Sequence, residues 1–312
     1  YKAEGGYRFA NRSRLRFGYE RDEIRRTSDT TLDYGGINYM HTVDDTEEDA
    51  FWISYQFAPI GNLYLSVKAE TSERDGDQTQ WPEWISPYNA NRDRDKYTLN
   101  ASYLLNDWVT VSGRVSSTED DYDSGDYFII EGGTARDPYG MKSRDWYSAY
   151  VDVTFTPHKD MSLSIYVMNS TFSWKRFGWE DDGGINHFQY DSKDDTDAIG
   201  LTLNWQVRSK LQIDASCIIT DSNSQLKSAH FDGADAGTTF YQPGYSDDTV
   251  RLDIQARYQL NADWSGYIRL IYEDWDIDDP LANGDYYNDL GYGWDADDGG
   301  NHAFIIGVRK SF

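Results

Sequence analysis

Aspartate is the residue type this sequence clusters most, and close-set aspartates with glycine suit a hard divalent cation. Ca²⁺ takes about six to eight oxygen ligands and is held by carboxylates spaced along a loop. The acidic runs are Asp44-Asp45 with Glu47-Glu48-Asp49, Asp75 with Asp77, and Glu119-Asp120-Asp121 with Asp123 and Asp126. They continue with Glu180-Asp181-Asp182, Asp191 with Asp194-Asp195 and Asp197, and Asp295 with Asp297-Asp298 before Gly299-Gly300. Asp75, Asp77, Asp295, Asp297 and Asp298 are the candidate Ca²⁺ ligands. No segment completes the D-x-D-x-D-G-x₅-E loop. The competing account is a solvated acidic rim that keeps the protein soluble at its edge, and the residues leave both open.

Other site chemistry is sparse. His41, His158, His187, His230 and His302 are scattered, with no partner at i+4 and no cysteine nearby, so there is no zinc motif. His187 and His230 fall in segments that read as external loops. His158 and Asp160 share a turn, but no Gly-x-Ser-x-Gly segment accompanies them, and no enzymatic activity is expected. Cys217 is the only cysteine. It sits in the apolar row Leu211, Ile213, Ala215, Cys217, Ile219 and reads as a small hydrophobe. Without a C-x-x-C-H segment the chain attaches no c-type haem of its own in the usual way, so any haem must belong to a partner. The net charge of −25 argues against nucleic acid, because neutralising phosphates requires clustered Lys and Arg.

The remaining charges fall into an alternating pattern. Arg14, Arg16, Lys68, Arg114, Asp152, Asp214, Arg251, Asp253, Arg257 and Arg269 each have an apolar residue next to them, and most have one on both sides. A two-residue period puts them on one face of strands and the apolar row on the other. These residues are expected to line an interior. There they would contact a polar body, select anions, or pair across strands with acids such as Asp152, Asp214 and Asp253.

The elements that carry this pattern repeat as strand, short turn, strand, long acidic loop. Tyr1 to Phe9 alternates into a turn at 10–13, followed by Leu15, Phe17 and Tyr19. Phe51 to Phe57 and Leu63 to Ala69 flank the turn 58–62. Tyr97 to Leu105 and Val109 to Val115 flank Asn106-Asp107. Tyr147 to Phe155 and Leu163 to Val167 flank the turn 156–160. Ile199 to Val207 and the Cys217 row flank 208–210, and Val250 to Leu260 and Gly266 to Tyr272 flank 261–263. A last strand runs over 301–312. The spacing predicts about thirteen strands, each with the roughly nine to eleven residues needed to cross a bilayer at a tilt. Trp108, Trp146 and Trp264 read as interfacial anchors near strand ends. Loops over about 27–48 and 72–94 exceed the length usual in compact domains.

Mean hydropathy is −0.77, and there is no apolar run long enough for a membrane-crossing helix. Alternating barrel strands score as polar on average, so this does not exclude a membrane protein. The 16% aromatic content argues against disorder. Lys or Arg facing lipid at the midplane costs about 2–4 kcal/mol, so the charged row must face inward if the outside is lipid. A soluble β-sandwich would instead bury the apolar row. Alternation cannot separate the two; the contrast of short turns with long loops favours an all-β, transmembrane, antiparallel up-and-down barrel over residues 1–312. Tyr1 already lies within an alternating segment, and strands upstream of it are expected.

The closing segment Asn301-His302-Ala303-Phe304-Ile305-Ile306-Gly307-Val308-Arg309-Lys310-Ser311-Phe312 resembles the C-terminal signature of bacterial outer-membrane barrels, with Lys310 where a second apolar residue is common. Tyr7-Arg8-Phe9, Arg14 to Glu20, Leu201 to Trp205 and Leu211 to Ala215 resemble the MtrB/PioB-type barrels, the outer-membrane partners of multihaem cytochromes. That resemblance covers most of the chain. It implies a barrel of about twice this strand count that sheathes a decahaem cytochrome so that electrons cross the membrane, with this chain as the C-terminal half. The CXXC of family members is not in this sequence. From the residues alone, a diffusion porin or oligosaccharide channel fits the same rows, and a soluble β-rich binding protein is the third reading.

Overall fold

The structure is a computed structural model that describes residues 1–11, 13–25, 32–34, 37–39, 45–76, 91–122, 140–181, 185–230, 239–278 and 299–310. Its strands are β1 (Lys2–Arg8), β2 (Arg14–Arg25), β3 (Leu32–Tyr34), β4 (Ile37–Tyr39), β5 (Asp45–Ile60), β6 (Leu63–Gly76), β7 (Arg92–Asn106) and β8 (Val109–Tyr122). They continue as β9 (Gly140–His158), β10 (Met161–Asp181), β11 (Ile185–Arg208), β12 (Leu211–His230), β13 (Thr239–Gln259), β14 (Trp264–Asp278) and β15 (Gly299–Lys310). Thirteen of them form one sheet in the order β1-β2-β5-β6-β7-β8-β9-β10-β11-β12-β13-β14-β15, and β3 and β4 pair as a separate hairpin. Every pairing is antiparallel between consecutive strands. The sheet is an up-and-down wall with β1 and β15 as its edges.

Asparagine closes several of the short turns. Asn11 Oδ1 accepts from Ser13 N at 3.1 Å, and Asn106 Oδ1 from Trp108 N at 3.0 Å. Asn261 Oδ1 accepts from Asp263 N at 2.9 Å and Trp264 N at 3.0 Å. Each side chain satisfies an amide that the tight turn leaves without a ladder partner. Register shifts sit beside the turns, at Phe57/Ile60, Leu104/Asn106, Met161/Leu163 and Gln206/Arg208, where a bulge increases twist.

The strands run further than the alternation indicates. Segments 168–181 and 185–198, expected as loop, are strand, and β11 reaches 24 residues. Likewise β6 continues to Gly76 and β7 starts at Arg92. The acidic residues Asp45 to Asp49, Asp75, Glu119 to Asp121 and Asp191 to Asp197 therefore belong to strands, as do His187 and His230. In these upper parts the convex row is polar while Trp146, Phe172 and Trp174 stand on the concave row, so the hydrophobic period of the lower parts is lost, while the backbone ladder needs no apolar side chain and persists. Phe312, Asp77, Asp295, Asp297 and Asp298 lie outside the described residues.

Burial is inverted relative to a soluble protein. Among the described residues the buried hydrophobics are Val109, Tyr122 and Ala198, whereas Ser54, Ser66, Ser72, Thr98, Ser192, Ser228 and Ser265 are buried. Phe304, Ile306 and Val308 are 65%, 69% and 64% exposed. The small hydroxyl residues share the face of Lys68 and Arg114. Side chains crowd on the inside of a curved sheet, so the polar face is concave and the apolar face convex.

Five glycines lie against the ring of the aromatic residue directly opposite. Gly18 faces Trp52, Gly200 faces Tyr166, Gly307 faces Tyr267 and Gly299 faces Trp275 on the concave face, and Gly5 faces Phe17 on the convex face. A Cβ on any of these glycines would come within 2.1 to 2.8 Å of the opposing ring, closer than side chains pack. The rings therefore lie flat along the sheet over a bare backbone, an arrangement that restores the packing a strand glycine lacks.

Candidate lumen surface and the charged cluster above it

The ten interior candidates all share the concave face. One continuous register row runs Arg8, Arg14, Gln56, Ser66, Asn100, Arg114, Tyr150, Met168, Ala198, Thr220, Thr249 across eleven strands. Arg16 donates to both oxygens of Glu4 at 3.0 Å and lies 5.6 Å from the Trp52 ring centre. Lys68 pairs with Glu70 and stands 5.4 Å from the same ring. Arg269 forms a two-pronged pair with Asp253, and Arg251 lies 3.6 Å from Glu273. Asp152 accepts from Thr154 at 3.0 Å and Asp214 from Gln212 at 2.9 Å, so these two carboxylates are held by neutral donors. Arg14, Arg114 and Arg257 make no ion pair among the described residues. Between the charges the wall is hydroxyl-rich: Ser116 and Ser148 are 2.7 Å apart, Thr154 and Ser164 2.8 Å.

Trp108 and Trp264 lie at a short turn and at the start of β14, both exposed, with Lys310 Nζ 5.6 Å from the Trp264 ring. Trp146 differs from its expected place: it is inside β9, opposite Thr118 and Phe172 on the concave row, not at a strand end. Cys217 stands on the convex row between Leu201 and Leu252.

The convex face changes character over one rung. Val151, Val167, Ile199, Ile219 and Val250 are in register, and the next convex rung is Ala149, Asn169, Asp197, Asp221, Asp248. Toward β5–β8 that rung continues as Val115, Leu99, Val67 and Tyr55, still apolar, and the carboxylates come further along, where Asp49, Glu73, Asp93 and Asp121 lie directly opposite one another. Like charges in that relation oppose pairing. Water just beyond an apolar band screens them, which marks this rung as the edge of the apolar belt.

Above that edge, on the concave face, lies a cluster that alternation alone did not single out. Asp120 is fully buried. Arg94 holds it with two bonds, Nε to Oδ1 at 2.6 Å and Nη2 to Oδ2 at 2.9 Å. Arg144 adds Nη2 to Oδ2 at 2.6 Å, and the Tyr122 hydroxyl donates at 3.3 Å. Arg92, itself buried, bonds Glu48 at 2.6 Å and approaches Asp120 at 3.9 Å. Burial alone would raise the Asp120 carboxyl; the bonds from Arg94 and Arg144 outweigh it and hold the group below the usual aspartate range. Arg74, opposite Arg92, is pushed down to about 10 by burial and then by the Arg92 charge. The signal for this cluster was present in the parity of Glu119-Asp120-Asp121, which puts Asp120 on the Arg94 row and its neighbours on the other face.

The Ca²⁺ candidate Asp75 ends up on the convex row of β6 opposite Glu47. Among the described residues no group of His, Cys, Asp or Glu is arranged to hold a metal.

The sequence profile described as "Putative outer membrane beta-barrel porin, MtrB/PioB" matches residues 1–298. The chain belongs to the MtrB/PioB family. No curated protein matches it. Among solved structures, the siderophore receptor PiuA from Acinetobacter baumannii is similar over 100% of this chain and 52% of its own, with a TM-score of 0.60 at 9% identity. The closed form of the ferric-catecholate import receptor Fiu from E. coli K12 matches over 87% of this chain and 48% of its own, with TM-score 0.59 at 12% identity. The ferric yersiniabactin uptake receptor FyuA from Yersinia pestis gives 0.52 at 13%, over 85% of this chain and 46% of its own. At these identities the likeness concerns the fold: an outer-membrane β-barrel wall. The chain spans about half the length of these receptors. In an MtrB/PioB-type wall the convex apolar belt meets lipid and the concave face is the lumen. Outer-membrane barrels have short periplasmic turns and long external connections; the Asp120 cluster sits at the long-connection end of β8, beyond the apolar belt.

Proposed function

We propose that this chain forms part of a barrel wall that sheathes and positions a multihaem cytochrome for electron transfer across the outer membrane. The carrying observation is the lumen surface itself. Trp52, Tyr166, Tyr267 and Trp275 lie flat over glycines instead of projecting inward, and small hydroxyl residues fill the rows between. A wall levelled in this way suits a folded body packed along it. The chain carries no haem-attachment segment, so the redox groups belong to the partner. Further strands complete the wall: β1 and β15 run the same way, their direct pairing would be parallel, and an antiparallel closure takes an odd number of additional strands.

A diffusion porin is the second reading, favoured by the unpaired lumen arginines, which would select anions. The deciding experiment is a haem stain and visible spectrum of the detergent-solubilised native complex. A Soret band that migrates with this chain supports the sheath. A colourless complex that conducts ions in planar bilayers supports the porin.

A further inference from the structure

The lumen carries more positive charge than it neutralises. Arg8, Arg14, Lys96, Arg114, Arg257 and Arg309 all lie on the lumen rows, and none makes an ion pair among the described residues. Of the lumen acids, Glu4, Glu20, Glu48, Glu70, Asp120, Asp253 and Glu273 each meet a cation. Asp152, Asp194, Asp214 and Asp247 are held by neutral donors, and Asp22, at the upper end of β2, faces the same side.

This runs against the chain as a whole, whose net charge is −25. The convex face above the lipid edge sets Asp49, Glu73, Asp93 and Asp121 against one another on four neighbouring strands. A few cations moved to that face would relieve like-charge contacts that cost stability. The sheet places them on the concave face instead, where none of the six has an ion-pair partner among the described residues.

We propose that these six cations form a docking surface for an acidic face of the protein held in the lumen. The proposal rests on the sheath reading and adds the chemistry by which the occupant is recognised: carboxylates, contacted at several heights along the wall. The periplasmic end contributes most, because Arg8, Arg14, Arg257 and Arg309 lie close to the short-turn end of their strands. An occupant entering from the periplasm meets these charges first, and they would steer it.

The test uses the intact complex purified from the outer membrane, in wild type and in an Arg14→Gln/Arg114→Gln/Arg257→Gln triple variant. Lys193→Gln, on the convex face, is the control. Haem absorbance per barrel is followed while salt is raised from about 0.05 to 1 M. The expected result is that wild type and control lose haem protein as salt rises. The triple variant loses it on the order of ten-fold faster at low salt, with little further salt effect. Haem retained equally in all three, without salt dependence, overturns the docking surface but leaves the sheath standing. Wild type devoid of haem protein at every salt overturns both. Heat-modifiable gel mobility reports whether the variant is folded. If it is not, the salt dependence of wild type and of the three single variants decides the same question.

Discussion

Asp120 shows how much one residue's row can matter. Its neighbours Glu119 and Asp121 face outward into solvent, while Asp120 is enclosed by Arg94, Arg144 and Arg92. Removing the carboxylate leaves those guanidinium groups facing each other without a counter-charge. Asp120→Ala should therefore destabilise the folded barrel by about 3 kcal/mol, read as a shift in urea midpoint in detergent or lipid. The pH dependence has a definite sign. The folded-state carboxyl titrates below its unfolded value of about 3.9, so its contribution is fully present above that value. It is lost as pH falls toward the lower, folded value. Wild type should lose stability below about pH 4, and Asp120→Asn, less stable throughout, should lack that component. The sequence contained this site only as parity inside an acidic run; the cation partners lie on other strands, at separations that no local spacing reveals.

The longer strands divide into a lower part with an unbroken apolar row on one face and an upper part in which neither face carries one. The lower parts were legible because lipid on one side and a polar lumen on the other impose strict alternation, as in Leu201 to Val207. The upper parts of β10 to β13 were not, since water on both sides removes the contrast while the ladder continues. Alternation can be tested with the native thiol. Cys217 should resist a membrane-impermeant maleimide in the membrane, while Ser216→Cys in a Cys217→Ser background should react once the lumen is emptied. Equal labelling of both would contradict the assigned faces. The glycine seats give a second test. Gly200→Val puts a branched side chain where the Tyr166 ring lies, with an expected cost of about 1–3 kcal/mol and a ring driven into the lumen. Adding Tyr166→Ala should recover part of that loss, and a strictly additive pair would argue that the ring and the glycine are not coupled.

At the scale of the whole sheet, the described strands rise to unequal heights. From Ala198 to Ile185, β11 extends roughly 40 Å of strand beyond the apolar belt, and β10, β12 and β13 rise beside it. On the other side β6 ends at Gly76 and β8 at Tyr122, soon after the acidic rung. Lys193, on the convex face of the tall side, should react with a membrane-impermeant amine reagent on intact cells; protection there would reverse the orientation. Within the described strands, β10 to β13 rise as four neighbours and not singly, so each lends its backbone ladder to the next, and a proline placed in the upper part of β11 should loosen the upper parts of β10 and β12 with it.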